Sequence, residues 1–341
     1  MNYKKSFSGK RILVLGGTGS IGSVIVKELL KCNPKQVRVF SRDESKHQEL
    51  LFSVGDNTKL RSLIGDIRDR DRLSFAMRGI DIVFNAAAMK HVPLCEYNPF
   101  EAVKTNVYGT QNILDTALEH NVEKVITIST DKAAEPNSTL GATKLLAEKL
   151  TSAANAYSGN RRTRFATVRF GNVLGSSNSL LPIIRRQVLA GKPVTITDSR
   201  MTRFIMPTES AVHLVFEATA IMKGGEIFVL KMPSVSIEDL IKTYVELVCE
   251  ETGSKKKVRY VYIGKRPGEK VHEKLLNEHE AEYVREAKRI FVIPNVAHPA
   301  GAKGVAPKRN LKPAQTSSYH SGDARKLTRK EIKDLLRELA L

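Results

Sequence analysis

The chain has 341 residues, 41% hydrophobic and 27% charged, long enough for a full core and ordinary enough in composition to exclude a disordered or fibrous polymer. Lysine and arginine outnumber aspartate and glutamate by 55 to 36, a formal net charge of +19, so an anionic partner is expected, whether nucleic acid, a membrane surface or a phosphorylated small molecule. Three scattered cysteines (Cys32, Cys95, Cys249) exclude a disulfide framework or a closed metal site and favour a cytoplasmic location, while no apolar run resembles a signal peptide or reaches the about 18 to 20 residues of a membrane span.

In chain order, short apolar runs fall at 11–17, 36–41, 61–65, 81–88, 122–130 and 165–170, and segments with helical spacing fall between them, notably 20–31, 99–120 and 139–157. Such alternation predicts an α/β fold, a Rossmann-type doubly wound parallel sheet covered by helices on both faces. After Asn172 the rhythm shortens, punctuated by Pro182, Gly191, Pro193, Pro207, Gly224 and Gly225. This predicts a smaller mixed α/β substrate-binding lobe over 173–296, interleaved with a first, dinucleotide-binding domain over 1–172. The boundary is expected between Gly171 and Gly175. Residues 255–341 hold 21 basic residues against 10 acidic ones, so the excess charge is concentrated late in the chain. The Pro-, Gly- and Lys-rich stretch 297–322 has no periodic apolar face and predicts a long exposed loop; leucines at helical spacing predict a last helix over 328–339. No internal repeat is visible.

The segment RILVLGGTGSIGSVIVKELL places Gly16, Gly19 and Gly22 between an apolar strand and an amphipathic helix. The first permits a tight turn, the second a close backbone approach to a pyrophosphate, and the third close packing of helix on strand. Thr18, Ser20 and Ile21 share that turn and are expected beside the same cofactor, whose phosphates face the helix N-terminus. The next strand ends in VRVFSRD, with Arg42 about where an NAD site carries an acid. A guanidinium there can pair with a 2′-phosphate, so NADP is expected; a solvated loop arginine is the alternative. Asp66, with Ile67 beside it, ends the third run and could accept from an adenine amino group. Ala86 and Ala87 end the fourth, where small side chains admit a ribose, and Asn106 lies on the helix that follows. Each of these could equally be structural; their shared rim of a parallel sheet is what singles them out.

Together GGTGSIG, NAAA, NVYG, a strand ending in Ile128-Ser129-Thr130, and Lys144 on the next helix resemble an extended short-chain dehydrogenase/reductase. That superfamily usually carries Tyr-xxx-Lys, and here Leu140 replaces the tyrosine. The adjacent Thr130-Asp131-Lys132 resembles the inverting UDP-N-acetylglucosamine 4,6-dehydratases and related polysaccharide-biosynthesis proteins. VRFGNVLGSSNSLLPIIRRQV, GKPVTITDSRMTRFIMPTESAV, GGEIFVL and GKRPGEKVHEKLL continue the match in family order. The resemblance implies NADP-dependent dehydration of a UDP-N-acetylhexosamine with inversion at carbon 5, giving a UDP-4-keto-6-deoxy sugar for surface polysaccharide or glycan synthesis. Asp131 would be the acid, its pKa raised by an apolar site, and Lys132 the base, its pKa lowered by that site and by Lys144. Thr130 and Lys144 would order a proton-relaying water, and Ser129 and Lys144 would also face the cofactor. Lys90, placed by both cofactor and sugar, with His91, Asn172, Val173, Thr202, Arg203, Arg266 and Glu269, would contact the UDP-sugar. A homo-oligomer is implied as well.

Other readings compete. Thr130-Asp131-Lys132 could be a strand end with an N-cap and a solvated lysine, and His91 could be a structural histidine. Leu140 leaves room for a UDP-sugar 4-epimerase or an inactive NADP-binding relative. The charge of +19 admits a nucleic-acid binder, but with no tryptophan, 6% aromatics and no zinc-finger spacing, no nucleic-acid partner is expected.

Overall fold

Six parallel strands follow one another through the first half of the chain: β1 (Arg11–Leu15), β2 (Gln36–Ser41), β3 (Leu60–Ile64), β4 (Ile82–Asn85), β5 (Lys124–Thr130) and β6 (Arg164–Phe170). The structure is a computed structural model and describes residues 3–159, 161–175, 180–254, 257–265, 268–295 and 311–339. Each run becomes a strand because its alternate side chains find two separate cores. Ile12 and Val14 point into one, with Ile25, Val26 and Leu29 of the helix Ser20–Leu30; Leu13 and Leu15 point into the other, with Ile113, Leu114 and Ala117 of the helix Gly109–Glu119. Each such fully buried aliphatic side chain contributes ~1.5 to 3 kcal/mol, which holds the sheet between its helical layers.

Later strands are β7 (Asn172–Leu174), β8 (Val194–Ile196), β9 (Thr202–Pro207), β10 (Ile227–Leu230), β11 (Ser234–Ser236), β12 (Tyr260–Tyr262), β13 (Lys274–Leu276), β14 (Arg285–Glu286), β15 (Ile290–Ile293), β16 (Lys312–Pro313) and β17 (Tyr319–His320). The large sheet runs β16-β14-β15-β10-β6-β5-β4-β1-β2-β3. Strand order reverses between β1 and β4, both of which run parallel to their neighbours. Their carboxyl ends therefore diverge into a crevice, the usual ligand position in such sheets. The second half of the chain also supplies the small sheet β11-β9-β7 and a third core around Ile196, Ile205, Ile241 and Val245.

Three local outcomes differ from the pattern. The expected helix over 99–120 contains a π turn, Lys104–Tyr108, between Pro99–Val103 and Gly109–Glu119. Helices Glu44–Val54 and Arg70–Met77, weakly apolar and hard to see by periodicity, start on Asp43 and Asp69, whose side chains accept from Lys46 and Arg72 backbone N–H groups. The described part of the expected exposed loop over 297–322 instead supplies β16 at the sheet edge and β17 beside β13; residues 296–310 lie outside the described set. A helix over Arg329–Glu338 follows, capped by Thr328, with Ile332 and Leu336 buried against Leu240 and Tyr244.

Candidate active site

The cradle is built from glycines with no room for a side chain. Gly16 has φ +70°, and a Cβ there would lie 2.7 Å from the Ala87 nitrogen; at Gly22 it would lie 2.1 Å from the Gly16 carbonyl oxygen. The turn thus presses β1, the end of β4 and the helix Ser20–Leu30 together, with Gly19 extended at the helix N-cap. Thr18 binds the Ser41 hydroxyl at 2.8 Å, and Ser41 in turn binds His47 Nε2 at 2.8 Å, which fixes the end of β2. Ser20, followed by Ile21 in the first helical turn, holds Lys90 Nζ at 3.2 Å across the crevice.

Beside this turn opens a cavity of about 250 Å³ lined by Gly16, Thr18, Arg42, Asp66, Ile67, Ala86, Ala87 and Thr105. The strand-end residues expected at a cofactor site therefore do share one place. Arg42 is largely exposed, 3.6 Å from Asp66. Burial pushes the Asp66 carboxyl up, but bonds from the Arg68 side chain and N–H outweigh it and hold it below the usual carboxylate range. Those bonds leave Asp66 little accepting capacity for an adenine amino group. Asn106, on the π turn, is buried and fully used: it accepts from Met89 N–H and donates to the Met89 carbonyl and to Thr143. It ties the loop after β4 to the helix Thr139–Ala153. His91, exposed, begins the helix Val92–Tyr97 on that same loop.

At the end of β5 the chain turns into a 3-10 turn, Asp131–Ala133. Asp131 is buried; its Oδ1 accepts from Thr130 at 2.8 Å and from Lys132 Nζ at 2.9 Å, and its Oδ2 is buried without a hydrogen-bond partner among the described residues. The Ser129 hydroxyl is likewise buried and has no partner among the described residues. Gly171, after β6, lets the chain pass here, since a Cβ would lie 2.5 Å from the Phe204 Cβ and 3.3 Å from Asp131 Oδ2. Lys132, with its side chain 24% exposed, also lies 3.4 Å from Glu273 Oε1, and Arg203 Nε lies 3.7 Å from that oxygen. Two carboxylates and two cations thus form one cluster drawn from β5, β9 and the residue before β13.

This cluster corrects one expectation. Burial alone would lower the Lys132 pKa, but the charges of Asp131 and Glu273 outweigh it and hold the ammonium above the ordinary lysine value. Burial lowers Lys90 as well as Lys144, and the lysine on the helix after the pair is Lys144. Burial pushes it down to about 8, only partly opposed by Glu148 one turn on, and its amine donates to the Ile128 carbonyl at 2.8 Å. Its helix is pinned by Arg169 on β6, fully buried, which donates to Glu148 and to Glu280. Leu140 packs with Cys95, Ala102, Met89 and Val92, so an apolar cluster occupies the neighbourhood of the usual phenol.

After β6, Asn172 is exposed and Val173 half-buried on β7. Thr202 commits its hydroxyl to His272 and Ser321, and Arg203 donates to the Thr202 and Val271 carbonyls at 2.7 and 3.1 Å. Gly268 lies against Ser138 and Val92, which brings Glu269 beside the start of the Thr139–Ala153 helix; Arg266 is outside the described residues. Sequence reasoning missed Glu273, which stood inside a quoted segment, and Ser321, whose Oγ accepts from the Glu273 N–H at 3.0 Å.

The sequence pattern of the family described as polysaccharide biosynthesis protein matches residues 12–295. An inverting UDP-N-acetylglucosamine 4,6-dehydratase of Campylobacter jejuni is 43% identical over 84% of this chain and 83% of its own. A UDP-glucose 4-epimerase of Rickettsia akari is 37% identical over 97% and 96%. An uncharacterized membrane protein of Methanocaldococcus jannaschii is 51% identical over 98% and 97%; among the described residues here, no helix is long and apolar enough to cross a membrane. The X-ray structure of Pen from Bacillus thuringiensis superposes with a TM-score of 0.89 at 41% identity, covering 97% of this chain and 98% of that one.

Proposed function

The chain belongs to the polysaccharide biosynthesis protein family, within the extended short-chain dehydrogenase/reductases, and from that membership we propose that it dehydrates a UDP-N-acetylhexosamine across carbons 4 to 6. UDP-N-acetylglucosamine is the substrate we assign, NADP the cofactor, and inversion at carbon 5 the outcome. The observation that carries this reading is the Asp131–Lys132 pair, a buried carboxylate bonded to a partly exposed amine, with one oxygen unpartnered among the described residues.

The residues fit the dinucleotide. A glycine turn packed too closely for a Cβ at Gly16 or Gly22 opens onto the cavity at the β1/β4 crevice, and Arg42 stands on its rim for a 2′-phosphate. When bound, that cofactor would accept hydride from carbon 4 and return it to carbon 6. The chain's part is proton handling. Lys144, with its pKa near 8, is the amine suited to receive the carbon 4 hydroxyl proton, directly or through water. Asp131 and Lys132 share one proton across 2.9 Å. Moving it from Nζ to Oδ1 converts an ion pair into the acid and amine that the reaction needs. The amine then takes the carbon 5 proton, the acid gives its proton to the departing carbon 6 hydroxyl, carbon 5 takes a solvent proton on the opposite face, and Lys144 returns to solvent the proton it received. The sugar loses one water overall.

A UDP-sugar 4-epimerase is the second reading, favoured by the 37% identity to the Rickettsia enzyme. One experiment separates the two: incubation with NADP and UDP-N-acetylglucosamine in deuterated water, followed by proton NMR. Dehydration gives a 6-deoxy methyl signal with deuterium at carbon 5. Epimerisation gives a changed carbon 4 coupling with the carbon 6 hydroxyl retained.

A further inference from the structure

Glu273 is buried, 4% exposed, yet carries no role in the reaction as written. Its carboxylate lies between two cations, 3.4 Å from Lys132 Nζ and 3.7 Å from Arg203 Nε. Its backbone is fixed from beyond the family match: the Glu273 N–H donates to Ser321, whose hydroxyl also donates to the Thr202 carbonyl. Ser321 is itself fully buried, and the Ser321 N–H donates to the Glu273 carbonyl at 2.8 Å, continuing the β13/β17 pairing. The C-terminal segment therefore holds this carboxylate at a set distance from the Asp131–Lys132 pair.

We propose that Glu273 is a positioning residue that decides which member of the Asp131–Lys132 pair holds their shared proton. Its charge keeps the proton on Lys132, and Arg203, by sharing that charge, weakens the hold. A carboxylate within about 4 Å of an ammonium stabilises the charged form by one to three pKa units, and burial strengthens the coupling. The groups facing this cluster are Asp131 beside Lys132, Arg203 from β9, and His272 beside Glu273. His320 lies further out, its ring 5.9 Å from that of His272 and paired with Asp323, and Lys326 also acts on His272. On the next helix, Lys144 is bonded to the Ile128 carbonyl and Glu148 is taken by Arg169. Lys270 and Lys274 are held by Glu135 on the loop after Lys132. Among these, Asp131 and Glu273 are the carboxylates within ion-pair distance of Lys132.

The inference rests on the dehydratase reading for its functional meaning, but its test does not. In the full-length chain labelled with 13Cε-lysine, with the Lys132 signal assigned through Lys132→Arg, the Lys132 midpoint should fall by about one unit or more in Glu273→Gln. In Arg203→Gln it should rise, because Glu273 then has one cation to serve. The alkaline limb of kcat against pH, where the pair loses its shared proton, should move with each midpoint when measured on UDP-N-acetylglucosamine with NADP. For Glu273→Gln that means about tenfold less activity, relative to its own plateau, at a pH one unit above the wild-type limb. A purely structural Glu273 would lower the plateau and leave both midpoint and limb in place, and that result overturns the proposal. So does a midpoint that falls or stays fixed in Arg203→Gln, a measurement that stands even if Glu273→Gln does not fold. Midpoints that move as expected in an enzyme with no dehydratase activity would sustain the charge coupling and refute the proposed function instead.

Discussion

Lys144 costs the fold stability, and the cost can be measured without knowing the substrate. Its pKa falls from 10.5 to about 8 because its amine is buried with one carbonyl partner. That lowering corresponds to about 3 kcal/mol, an order-of-magnitude figure. The sign follows from proton counting. Between pH 8 and 10.5 the unfolded chain holds the Lys144 proton and the folded chain has released it, so stability rises with pH across this window. Below about pH 8 the full penalty is present; above about 10.5 it has gone. Lys144→Met removes the titrating group and leaves the Ile128 carbonyl without its donor, a loss of ~1 to 3 kcal/mol that does not depend on pH. Urea unfolding of both proteins from pH 7 to 10.5, followed by circular dichroism, should therefore show the variant losing about 3 kcal/mol relative to the wild type as pH rises. Other lysines and tyrosines titrate in both proteins and cancel in the difference. A difference that stays flat across the window would mean that Lys144 keeps an ordinary pKa and has no special fitness as a proton acceptor.

Asp131→Asn and Lys132→Ala should each lower dehydration ~10² to 10⁴-fold while NADP affinity stays unchanged; turnover at the wild-type rate in either, measured by NMR, would reduce the pair to a capped strand end. Arg42→Ala should weaken NADP by about 1.5 kcal/mol, roughly tenfold, the lower end for an exposed charge-assisted pair, and leave NAD unaffected; equal affinities in the wild type would remove the argument. Gly22→Ala would put a Cβ 2.1 Å from the Gly16 oxygen, so it should lose ~1 to 3 kcal/mol in thermal unfolding together with dinucleotide binding; an unchanged Tm would show that the helix can move away. Leu140→Tyr brings a hydroxyl into the cluster with Cys95 and Ala102 and should lose ~1 to 3 kcal/mol for a modest change in rate; a large rate gain would identify the chain as a degenerate dehydrogenase/reductase.

What the sequence revealed is what is encoded locally. Val14 and Leu15 sit in a strand because each face finds its own core, and that alternation is written in consecutive residues. Gly16 and Gly22 are legible for the same reason, since their contacts are with each other and with the end of a strand in the same crevice. The charge on Lys132 was not legible. Burial and Lys144 both argue for a lowered pKa, and the opposite outcome depends on Glu273, which arrives from far downstream in a segment that reads as an ordinary charged surface. Ser321 was hidden by its composition: a Pro- and Lys-rich stretch looks solvated until pairing of β17 with β13 buries one small hydroxyl. The π turn escaped because an apolar pattern over 99–120 reads as one helix and does not mark where an i→i+5 turn is inserted; Asn106 lies on that turn and bonds Met89 and Thr143.

The four-charge cluster also gives a physical reason for dispensing with the phenol. Two buried carboxylates would repel, and both beside a single lysine would leave a residual negative charge that burial penalises. Asp131, Glu273, Lys132 and Arg203 together sum to zero, so the cluster can be buried. Transfer of one proton from Lys132 to Asp131 keeps that sum at zero while reducing the ions from four to two. A drier site favours the state with fewer ions, and Leu140, inside its apolar cluster, keeps the neighbouring wall dry. On the proposed reading, a UDP-sugar that covers the partly exposed Lys132 and excludes water would itself drive the pair toward acid and amine. The proton switch would then be set by substrate burial, opposed by Glu273, and released only when the sugar is in place.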